Sequence, residues 1–346
     1  MNYAPFVACV RVLQASSSAP AMVSRERGSA VAILQGALLD LGYKLPKSTA
    51  KSGRPDGVFG DETRKAVLQF QANNKLAQDG VAGRATFTRL DAMMVAKKGP
   101  PKPMPGPPAP SVPPPLAADR NYHIGTGDPS ITPDVGSGVF GSVPTEFSMW
   151  ALQQAVLEVL PPRGGLARVF IGMDAATNMK HYMDASGTTL NIDLEGMVAA
   201  GPTATAHFKN EVRQAQKFVE TLAVGRHVIT SISAESAYNY KNEGTNWYFA
   251  VGGYSTWGKG TATVRNGPFG TEYELNFEYR FYDRYNWDKG KKVEIAGIKV
   301  TDNFMGDFHR QGLAREYDMK GSMSRTFSWK KGDRIPDAQY RRGGGR

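Results

Sequence analysis

The segment GDFHRQG, residues 306–312, places an acid, an aromatic ring, a histidine and an arginine between two glycines. Because an imidazole exchanges protons near neutral pH, His309 could act as a general acid or base. The guanidinium of Arg310 could hold a phosphate or carboxylate through two parallel hydrogen bonds. A lone histidine beside acids is equally common as a satisfied polar group in a turn, so the segment supports two interpretations.

Aspartates flank this segment and also end the predicted strand that precedes it. Asp283 and Asp288 belong to the run YDRYNWD, residues 282–288, and Asp307 lies in GDFHRQG itself. Mg²⁺ and Ca²⁺ take carboxylate oxygens as ligands, and a phosphorylated substrate would complete the coordination shell. The three aspartates are therefore candidate ligands of such an ion. Aspartates after an aromatic strand also form turns, which is the competing interpretation.

Several other kinds of site are excluded or disfavoured. The sequence contains no HExxH pair, phosphate-binding loop, dinucleotide-binding glycine motif or GxSxG elbow. Glu274 and Glu278 share one face of a predicted strand and could be paired carboxylates for glycoside cleavage, but the wet face of a sheet is the favoured interpretation. The single cysteine, Cys9, excludes an internal disulfide, and it lies in a segment expected to be frayed.

Helical patterns and a repeated turn organise the N-terminal part of the chain. SAVAILQGALLDLGY, from Ser29, spaces its apolar residues as a helix does and reaches a natural stop at Gly42. The turn DGVFG, residues 56–60, recurs as DGVAG, residues 79–83, and a helical pattern with a threonine follows each copy. Glycine permits the tight turn, the aspartate can bond its amides, and Asp61 is expected to cap the next helix. These features predict a compact three-helix unit.

This unit resembles the peptidoglycan-binding family of three-helix modules. The matching residues are Leu34, Gln35, Leu38, Leu41, Gly42 and Tyr43, then Asp56 to Gly60, Thr63, Ala66, Val67, Phe70 and Gln71, then Asp79, Gly80, Gly83 and Thr86. The resemblance implies peptidoglycan binding that involves Tyr43, Asp56, Phe59, Thr63, Phe70, Asp79 and Thr86. Most of these residues could instead maintain the fold, which would leave the ligand to a groove beside the second helix. One departure from the family is the longer loop at residues 44–55, which would change that groove.

A proline-rich segment separates this unit from the remainder. GPPKPMPGPPAPSVPPP, residues 99–115, cannot join a helix or a sheet ladder and predicts an extended spacer of roughly 3 Å per residue. The predicted organisation has five parts: an N-terminal extension (1–28), the peptidoglycan-binding module (29–95), the linker (96–118), an effector domain (119–335) and a basic tail (336–346).

The effector domain is predicted to be α+β. Thr145 is expected to cap a helix over 146–160, and a second helix is predicted over 207–223. Beyond Arg226 the apolar and aromatic residues alternate, which predicts an antiparallel sheet of about four strands. The strand segments are HVITSISAESAYNY, NWYFAVGGYSTWGKGTATV, EYELNFEYRFYDRYNW and KKVEIAGIKV. The predicted fold class is therefore multidomain, with a small all-α module, a proline-rich linker and an α+β domain.

The aspartate run and the His-Arg pair together resemble the active segment of colicin-M-type bacteriocins. Those toxins carry an Asp-x-Tyr-Asp pattern and a His-Arg pair on a β-rich domain, and they cleave the lipid-linked peptidoglycan precursor at its pyrophosphate with a divalent cation. Here Asn286 stands where an acid is expected, and the interval between the two halves is longer by a whole strand. With Asp288 added, the candidate catalytic residues are Asp283, Tyr285, Asp288, His309 and Arg310.

The charge of the chain favours anionic partners. The net charge is +10, and from Lys320 to Arg346 eight Lys or Arg oppose Asp333 and Asp337, a surplus of six. Such a tail is attracted to anionic lipid or an anionic wall, although a solvated disordered tail is equally consistent. The N-terminus lacks the basic lead and long apolar core of a secretory signal, so we expect secretion by another route to a target-cell periplasm or wall.

Three functions fit these observations. The first is an antibacterial effector that binds the wall and, with Mg²⁺ or Ca²⁺, cleaves a lipid-linked wall precursor. The second is a membrane-disrupting, pore-forming toxin without catalysis, and the third is a peptidoglycan hydrolase. The expected partners are peptidoglycan or its precursor, an anionic membrane surface, a secretion-apparatus component and an immunity protein, and no nucleic acid is expected. Whether the effector domain is an enzyme stays open at this point.

Overall fold

The computed structural model describes residues 3–17, 20–98, 121–133, 135–160, 172–237, 245–287, 292–295 and 298–340. The fold is a helical N-terminal module followed by a domain in which helices pack on a mixed, mostly antiparallel sheet. The predicted multidomain fold class is confirmed. The proline-rich run 99–115 and residues 341–346 of the predicted basic tail lie outside the described residues.

Six short and medium helices form the described N-terminal part. They are α1 (Ala4–Val7), α2 (Val10–Ala15), α3 (Ser29–Asp40), α4 (Pro46–Thr49), α5 (Asp61–Asn73) and α6 (Arg84–Lys98). Helices α3, α5 and α6 are the three that the sequence predicts. The N-terminal extension is packed rather than frayed, because Phe6 and Val12 are buried and the Tyr3 amide donates to Asp91 Oδ1 on α6 at 2.7 Å.

Two buried glutamines close the repeated turns of the module. The side-chain nitrogen of Gln35 on α3 donates to Asp56 Oδ1, Val58 O and Thr63 Oγ1 at 2.9, 3.1 and 2.9 Å. Its side-chain oxygen accepts the Gly57 amide at 2.9 Å. Gln71 on α5 repeats the pattern with Asp79 Oδ1, Val81 O, Thr86 Oγ1 and the Gly80 amide at 2.7, 3.0, 3.1 and 3.0 Å. Buried polar groups must be paired to be tolerated, so these clamps hold both turns against the helices.

The second domain contributes six α-helices, nine strands and one 3-10 helix (Asp337–Tyr340) within the described residues. The helices are α7 (Phe147–Val159), α8 (Met173–Met183), α9 (Leu194–Ala200), α10 (Pro202–Val219), α11 (Thr245–Ala250) and α12 (Asp302–Arg310). The strands are β1 (His123–Ile124), β2 (Leu190–Asn191), β3 (Gly225–Thr230), β4 (Ala234–Ala237), β5 (Gly253–Gly267), β6 (Gly270–Tyr285), β7 (Lys292–Ile295), β8 (Ile298–Thr301) and β9 (Tyr317–Lys330).

Seven of these strands form one sheet with the order β1-β3-β5-β6-β9-β2, in which β4 also pairs with the start of β5. The pair β2 and β9 is parallel, and the other pairs of this sheet are antiparallel. Alternate residues of β6 face the core, where Tyr279 lies 5.2 Å from Phe208 of α10 between ring centroids. The register places Tyr285, at the end of β6, opposite Tyr317, at the start of β9.

The strand predictions need three corrections. The run NWYFA was predicted as strand but lies in α11, which ends at Ala250, before the glycines at 252 and 253. The predicted strand itself begins only at Gly253. The run KKVEIAGIKV was predicted as part of the main sheet, but β7 and β8 form a separate two-stranded sheet. Strand β9 was missed because its charges resemble a basic tail, yet Arg325 is held in a bidentate pair by Glu195 at 2.6 Å.

Two predicted helix caps are also wrong. Asp61 is the first residue of α5, and Gly60 occupies the cap position. Thr145 does not cap α7, since its hydroxyl donates to Gln311 O at 2.8 Å. The cap of α7 comes instead from another part of the chain.

The cap of α7 is Asp40, at the end of α3 in the N-terminal module. Its Oδ1 accepts the Phe147 amide at 2.8 Å, and its Oδ2 accepts the Ser148 amide and hydroxyl at 3.0 and 2.5 Å. A carboxylate at a helix N-terminus satisfies otherwise unpaired amides and opposes the positive end of the helix dipole. This cap joins the module to the effector domain.

Close approach of the two helices depends on Gly36. A Cβ on Gly36 would lie 2.5 Å from the Ser148 nitrogen, so any larger side chain would push α7 away. The longer loop at 44–55, expected to reshape a ligand groove, also serves this junction. From it, the Arg54 guanidinium lies 5.9 and 5.5 Å from the ring centroids of Phe147 and Trp150 on α7.

No helix in the described residues is both long and apolar enough to cross a membrane.

Asp40→Ala should lower the free energy of unfolding by about 1–2 kcal/mol, because it leaves the first amides of α7 without their acceptor. Urea unfolding followed by circular dichroism would measure the change. Asp184→Ala, which removes an exposed aspartate paired with Lys180, is the matched control and should change stability by less than about 0.5 kcal/mol. Equal effects of the two substitutions would contradict the assignment of Asp40 as the cap.

Candidate functional site

The GDFHRQG segment is not the polar turn that one interpretation of the sequence suggested. Residues 306–310 form the last part of helix α12, and Thr301 caps this helix by accepting the Phe304 amide at 3.2 Å. The chain turns after Arg310 and enters β9 at Tyr317. His309 and Arg310 therefore project from a helix end beside the main sheet.

His309 is buried, with 5% of its surface exposed, and both ring nitrogens are engaged. Its Nδ1 accepts the Glu316 amide at 3.1 Å, and its Nε2 lies 3.0 Å from Gly138 O. Because Nδ1 is an acceptor, the ring proton lies on Nε2 and is donated to the Gly138 carbonyl. In this conformation the imidazole joins α12 to the start of β9 and to the loop around residue 138.

Glu316 is the centre of the candidate site. Its carboxylate is 5% exposed and accepts the Ser137 amide at 2.9 Å, the Ser137 hydroxyl and the Trp287 amide at 3.2 Å. Its second oxygen lies 4.0 Å from His309 Nε2. Glu316 thus links the end of β6 to helix α12, because its carboxylate accepts from Trp287, two residues after Tyr285, and its backbone amide donates to His309.

The Arg310 guanidinium is also engaged within the protein. It donates to Ser137 O at 2.8 Å, to Asn303 O at 3.2 Å and to Asp307 Oδ1 at 2.5 Å. This contact needs a glycine at 306, since a Cβ there would lie 2.5 Å from the Ser137 Cβ. Asp307, predicted as a metal ligand, therefore forms an ion pair with Arg310 on the same helix.

Asp283 and Tyr285 lie where β6 ends, and an aromatic group surrounds them. The Tyr285 ring is stacked on Tyr317 at 5.1 Å and lies 5.8 Å from Tyr182 and 5.9 Å from Trp287. Asp283 is half-buried, and its Oδ1 accepts the Arg284 amide at 2.7 Å. Tyr182 links the end of β6 to helix α12, because its ring lies 5.8 Å from that of Tyr285 and its hydroxyl donates to Met305 O on the helix that carries His309 and Arg310. Asp283 lies two residues before Tyr285 on β6.

The phenols of this group are held neutral. Burial raises the pKa of Tyr285 above its ordinary value, and the Asp283 carboxylate raises it further. Burial also raises the pKa of Tyr182, with further increases from Glu316 and Tyr285, and the pKa of Tyr317, with further increases from Tyr285 and Asp283. These tyrosines can donate hydrogen bonds at neutral pH but do not act there as bases.

The predicted cation site stays a prediction. In the part of the chain that the structure describes, no three His, Cys, Asp or Glu side chains form a group that could hold a metal ion. Asp288 lies outside the described residues, and Asp307 pairs with Arg310. An ion at Asp283 would therefore need Asp288 and oxygens of a substrate to complete its shell.

The predicted peptidoglycan-binding residues are mostly structural in position. Phe59, Thr63, Phe70 and Thr86 are buried, and the two threonines belong to the glutamine clamps. Asp56 and Asp79 are exposed, but one oxygen of each accepts a clamp amide. Tyr43 is half-exposed, packs edge-on against Phe70 at 5.8 Å and accepts a bond from Asn73 at 3.3 Å. Their roles in binding stay predictions, and Tyr43 is the one with an accessible ring.

Sequence reasoning missed Glu316, Ser137 and Tyr182. Glu316 stands in the run LAREYD, where an acid before a strand resembles a surface residue. Ser137 and Tyr182 are remote in sequence and join the site through tertiary contacts, such as the bond from Tyr182 Oη to Met305 O at 2.7 Å. A charged residue flanked by buried apolar positions was the available signal for Glu316, and it is a weak one.

Stability should fall above pH 10, because the buried phenols have raised pKa values in the folded state. The folded protein then keeps protons that the unfolded chain loses, so stability is full below about pH 10 and declines as pH rises toward the folded pKa. Tyr285→Phe should make this decline shallower by up to about 1.4 kcal/mol per pH unit. Urea unfolding between pH 9 and 11 would measure it, with Tyr43→Phe as the control, and parallel curves for wild type and Tyr285→Phe would contradict the prediction.

Comparison with known proteins supports the assignment of the N-terminal module. Residues 27–90 match the family described as putative peptidoglycan binding domain. Similar solved structures are bacteriocins. Truncated syringacin M from Pseudomonas syringae pv. tomato DC3000 has 14% identity and a TM-score of 0.27, over 47% of this chain and 62% of that chain. PaeM, a colicin M-like bacteriocin of Pseudomonas aeruginosa, has 14% identity and a TM-score of 0.27, over 88% and 82%.

Pectocin M2 has 14% identity and a TM-score of 0.22, over 46% of this chain and 51% of that chain. The match to syringacin M spans 62% of that chain. TM-scores this low support no conclusion about activity. The resemblance to colicin-M-type bacteriocins is therefore present but weak, and the match at residues 27–90 is specific. The N-terminal module of this chain is of the peptidoglycan-binding type, as its two Asp-Gly repeats predict.

Proposed function

We propose that this chain is an antibacterial toxin that binds the bacterial wall through residues 27–90 and cleaves a lipid-linked wall precursor at its pyrophosphate. The observation that carries the proposal is the contact of two distant segments at Glu316. Its carboxylate accepts the Trp287 amide, and its own amide donates to His309 Nδ1. These two bonds support a site in which the Asp-x-Tyr half and the His-Arg half of the pattern act together.

Unpaired hydrogen-bond donors support a phosphoryl substrate. The buried Asn286 Nδ2 and Trp287 Nε1 have no hydrogen-bond partner among the described residues. A buried donor without an acceptor is costly, and a phosphate oxygen is a strong acceptor for such donors. The site also holds the guanidinium of Arg310. Both of its terminal nitrogens already donate within the protein, one of them to Asp307, so a phosphate would have to displace one of these partners. These groups would bind the diphosphate and oppose its negative charge.

The proposed reaction is hydrolysis of a phosphoanhydride or phosphoester bond. Water attacks phosphorus, its proton passes to a base, and the bond to the leaving oxygen breaks. Asp283, half-buried at the strand end, would orient water or, with Asp288, hold a Mg²⁺ or Ca²⁺ ion. His309 can take up a proton at Nδ1 only after the bond from the Glu316 amide is released, so substrate binding must loosen this contact.

The proposal also includes the compartment in which the protein acts and the proteins that it requires. Binding to peptidoglycan would hold the protein in the target-cell periplasm, where lipid-linked precursor is displayed. A producing cell would require a secretion apparatus to deliver the protein and an immunity protein to protect itself. Because Asp40 joins the module to α7, the wall-binding part and the catalytic part would move together.

Hydrolysis can be tested with purified full-length protein, lipid-linked precursor and Mg²⁺, with products identified by mass spectrometry. His309→Ala and Asp283→Asn should each lower the cleavage rate by about 10²–10⁴-fold, as loss of a proton-transfer or orienting group does. His123→Ala, at an exposed histidine, should not change the rate.

His309 is buried, so His309→Ala could fail to fold. Asp283 is only half-buried, so Asp283→Asn tests the mechanism independently. Absence of product from the wild type, or an unchanged rate in Asp283→Asn, would overturn the mechanism. Dye release from anionic liposomes without cleavage would favour the pore-forming function, and released muropeptides from sacculi would favour the peptidoglycan hydrolase.

Wall binding should depend on the accessible ring of Tyr43. Tyr43→Ala should reduce co-sedimentation of the full chain with purified sacculi by roughly fivefold, because aromatic rings contribute much of the contact energy at such surfaces. Tyr248→Ala, which removes a partly exposed ring in the effector domain, is the control. Unchanged sedimentation of Tyr43→Ala would place the binding surface elsewhere on the module.

A further inference from the structure

Residues 135–143, here called the apolar loop, carry four large apolar side chains into solvent. Their exposed fractions are 97% for Val135, 74% for Val139, 43% for Val143 and 37% for Phe140. Scattered exposed apolar residues are normal, but four within nine residues concentrate exposed apolar side chains in one loop. A partner that removes these side chains from water would account for them.

The backbone of the apolar loop is anchored to the candidate site. The Ser137 amide donates to Glu316, the Gly138 carbonyl accepts from His309 Nε2, and the Gly141 and Val143 amides donate to His309 O and Arg310 O at 3.1 and 3.0 Å. These bonds hold the backbone against the helix end while the valines point outward. The exposed side chains are therefore presented by a fixed backbone and do not simply belong to an unstructured segment.

Positive charge lies beside the exposed side chains. Arg315 is exposed, and its guanidinium carbon lies 4.8 Å from the centroid of the Phe140 ring. Apolar side chains next to a cation are the combination that binds the boundary between headgroups and acyl chains of an anionic bilayer. The net charge of +10 on the chain adds attraction over longer range.

Other exposed apolar residues are less suited to this role. Phe269, 85% exposed with Lys330 5.4 Å from its ring, is a single side chain at the turn between β5 and β6. That turn is at the opposite end of β6 from Asp283 and Tyr285. The apolar loop instead contacts Glu316, His309 and Arg310 directly, so whatever it touches lies next to the candidate site.

We infer that the apolar loop docks the candidate site onto an anionic phospholipid bilayer. The inference rests on the proposed function in one respect, since a lipid-linked substrate presents its diphosphate at the bilayer surface. Val135 and Val139 would enter the headgroup region, with Arg315 at the phosphates. This contact would place Arg310 and His309 at the depth where the substrate diphosphate lies. The partner is the bilayer itself rather than another protein.

The test is co-sedimentation of the full chain with vesicles of phosphatidylglycerol and phosphatidylcholine. Val135→Asn/Val139→Asn should weaken vesicle binding roughly tenfold, because two valine side chains no longer leave water. Val23→Asn/Val224→Asn, at two exposed valines outside the loop, is the matched control and should bind as the wild type does. Arg315→Gln should weaken binding to these vesicles more than to vesicles of pure phosphatidylcholine.

The outcomes separate this inference from the proposed function. Wild-type protein that fails to sediment with vesicles, or an apolar-loop variant that sediments as well as the wild type, would overturn the inference. Cleavage of a water-soluble short-chain precursor analogue is measured in parallel, and the apolar-loop variant should retain it while losing cleavage of vesicle-embedded precursor. If the wild type binds vesicles but cleaves neither substrate, the proposed function fails and the membrane contact stands.

Discussion

A single buried carboxylate holds the candidate site together. Glu316 accepts hydrogen bonds from Ser137 and Trp287, and its amide donates to His309, so three distant segments meet at one residue. A buried charge is tolerated only where its oxygens are satisfied, and here backbone amides and a hydroxyl do so. Removal of any donor would leave the carboxylate under-satisfied, so the apolar loop, the end of β6 and helix α12 depend on one another.

A second carboxylate controls how the parts of the chain are arranged. Asp40 ends the main helix of the peptidoglycan-binding module and caps α7 of the effector domain, while Gly36 allows the two helices to approach. The same helix α3 carries Gln35, which closes the first Asp-Gly turn. Helix α3 thus serves the wall-binding module on one side and the effector domain on the other, and the proline-rich run does not isolate these parts from each other.

The features of the fold and the site that could be predicted from the sequence are those that depend on local interactions. The two Asp-Gly repeats identified the module because each turn and its threonine are close in sequence, and the alternating β6 residues identified a sheet. The cap of α7 by Asp40, the placement of β9 and the role of Glu316 depend on residues more than 20 positions apart. Such long-range contacts leave no local pattern in the sequence. Thr145 was therefore predicted as the cap of α7, and the basic segment that forms β9 was predicted as a tail. His309 was found by its chemistry, yet its engagement at both nitrogens could only be seen in three dimensions.

We propose that wall binding, precursor cleavage and membrane contact act together around one hydrogen-bonded centre. At that centre Glu316 joins Trp287, just after the end of β6, to His309 on helix α12. The rate of precursor cleavage by Glu316→Ala beside wild type tests this link, with co-sedimentation with sacculi to verify that the N-terminal module remains folded. Because alanine removes the oxygen that accepts from Ser137 and Trp287, we expect cleavage to be lost and wall binding to be retained. Cleavage at the wild-type rate by Glu316→Ala would contradict this expectation.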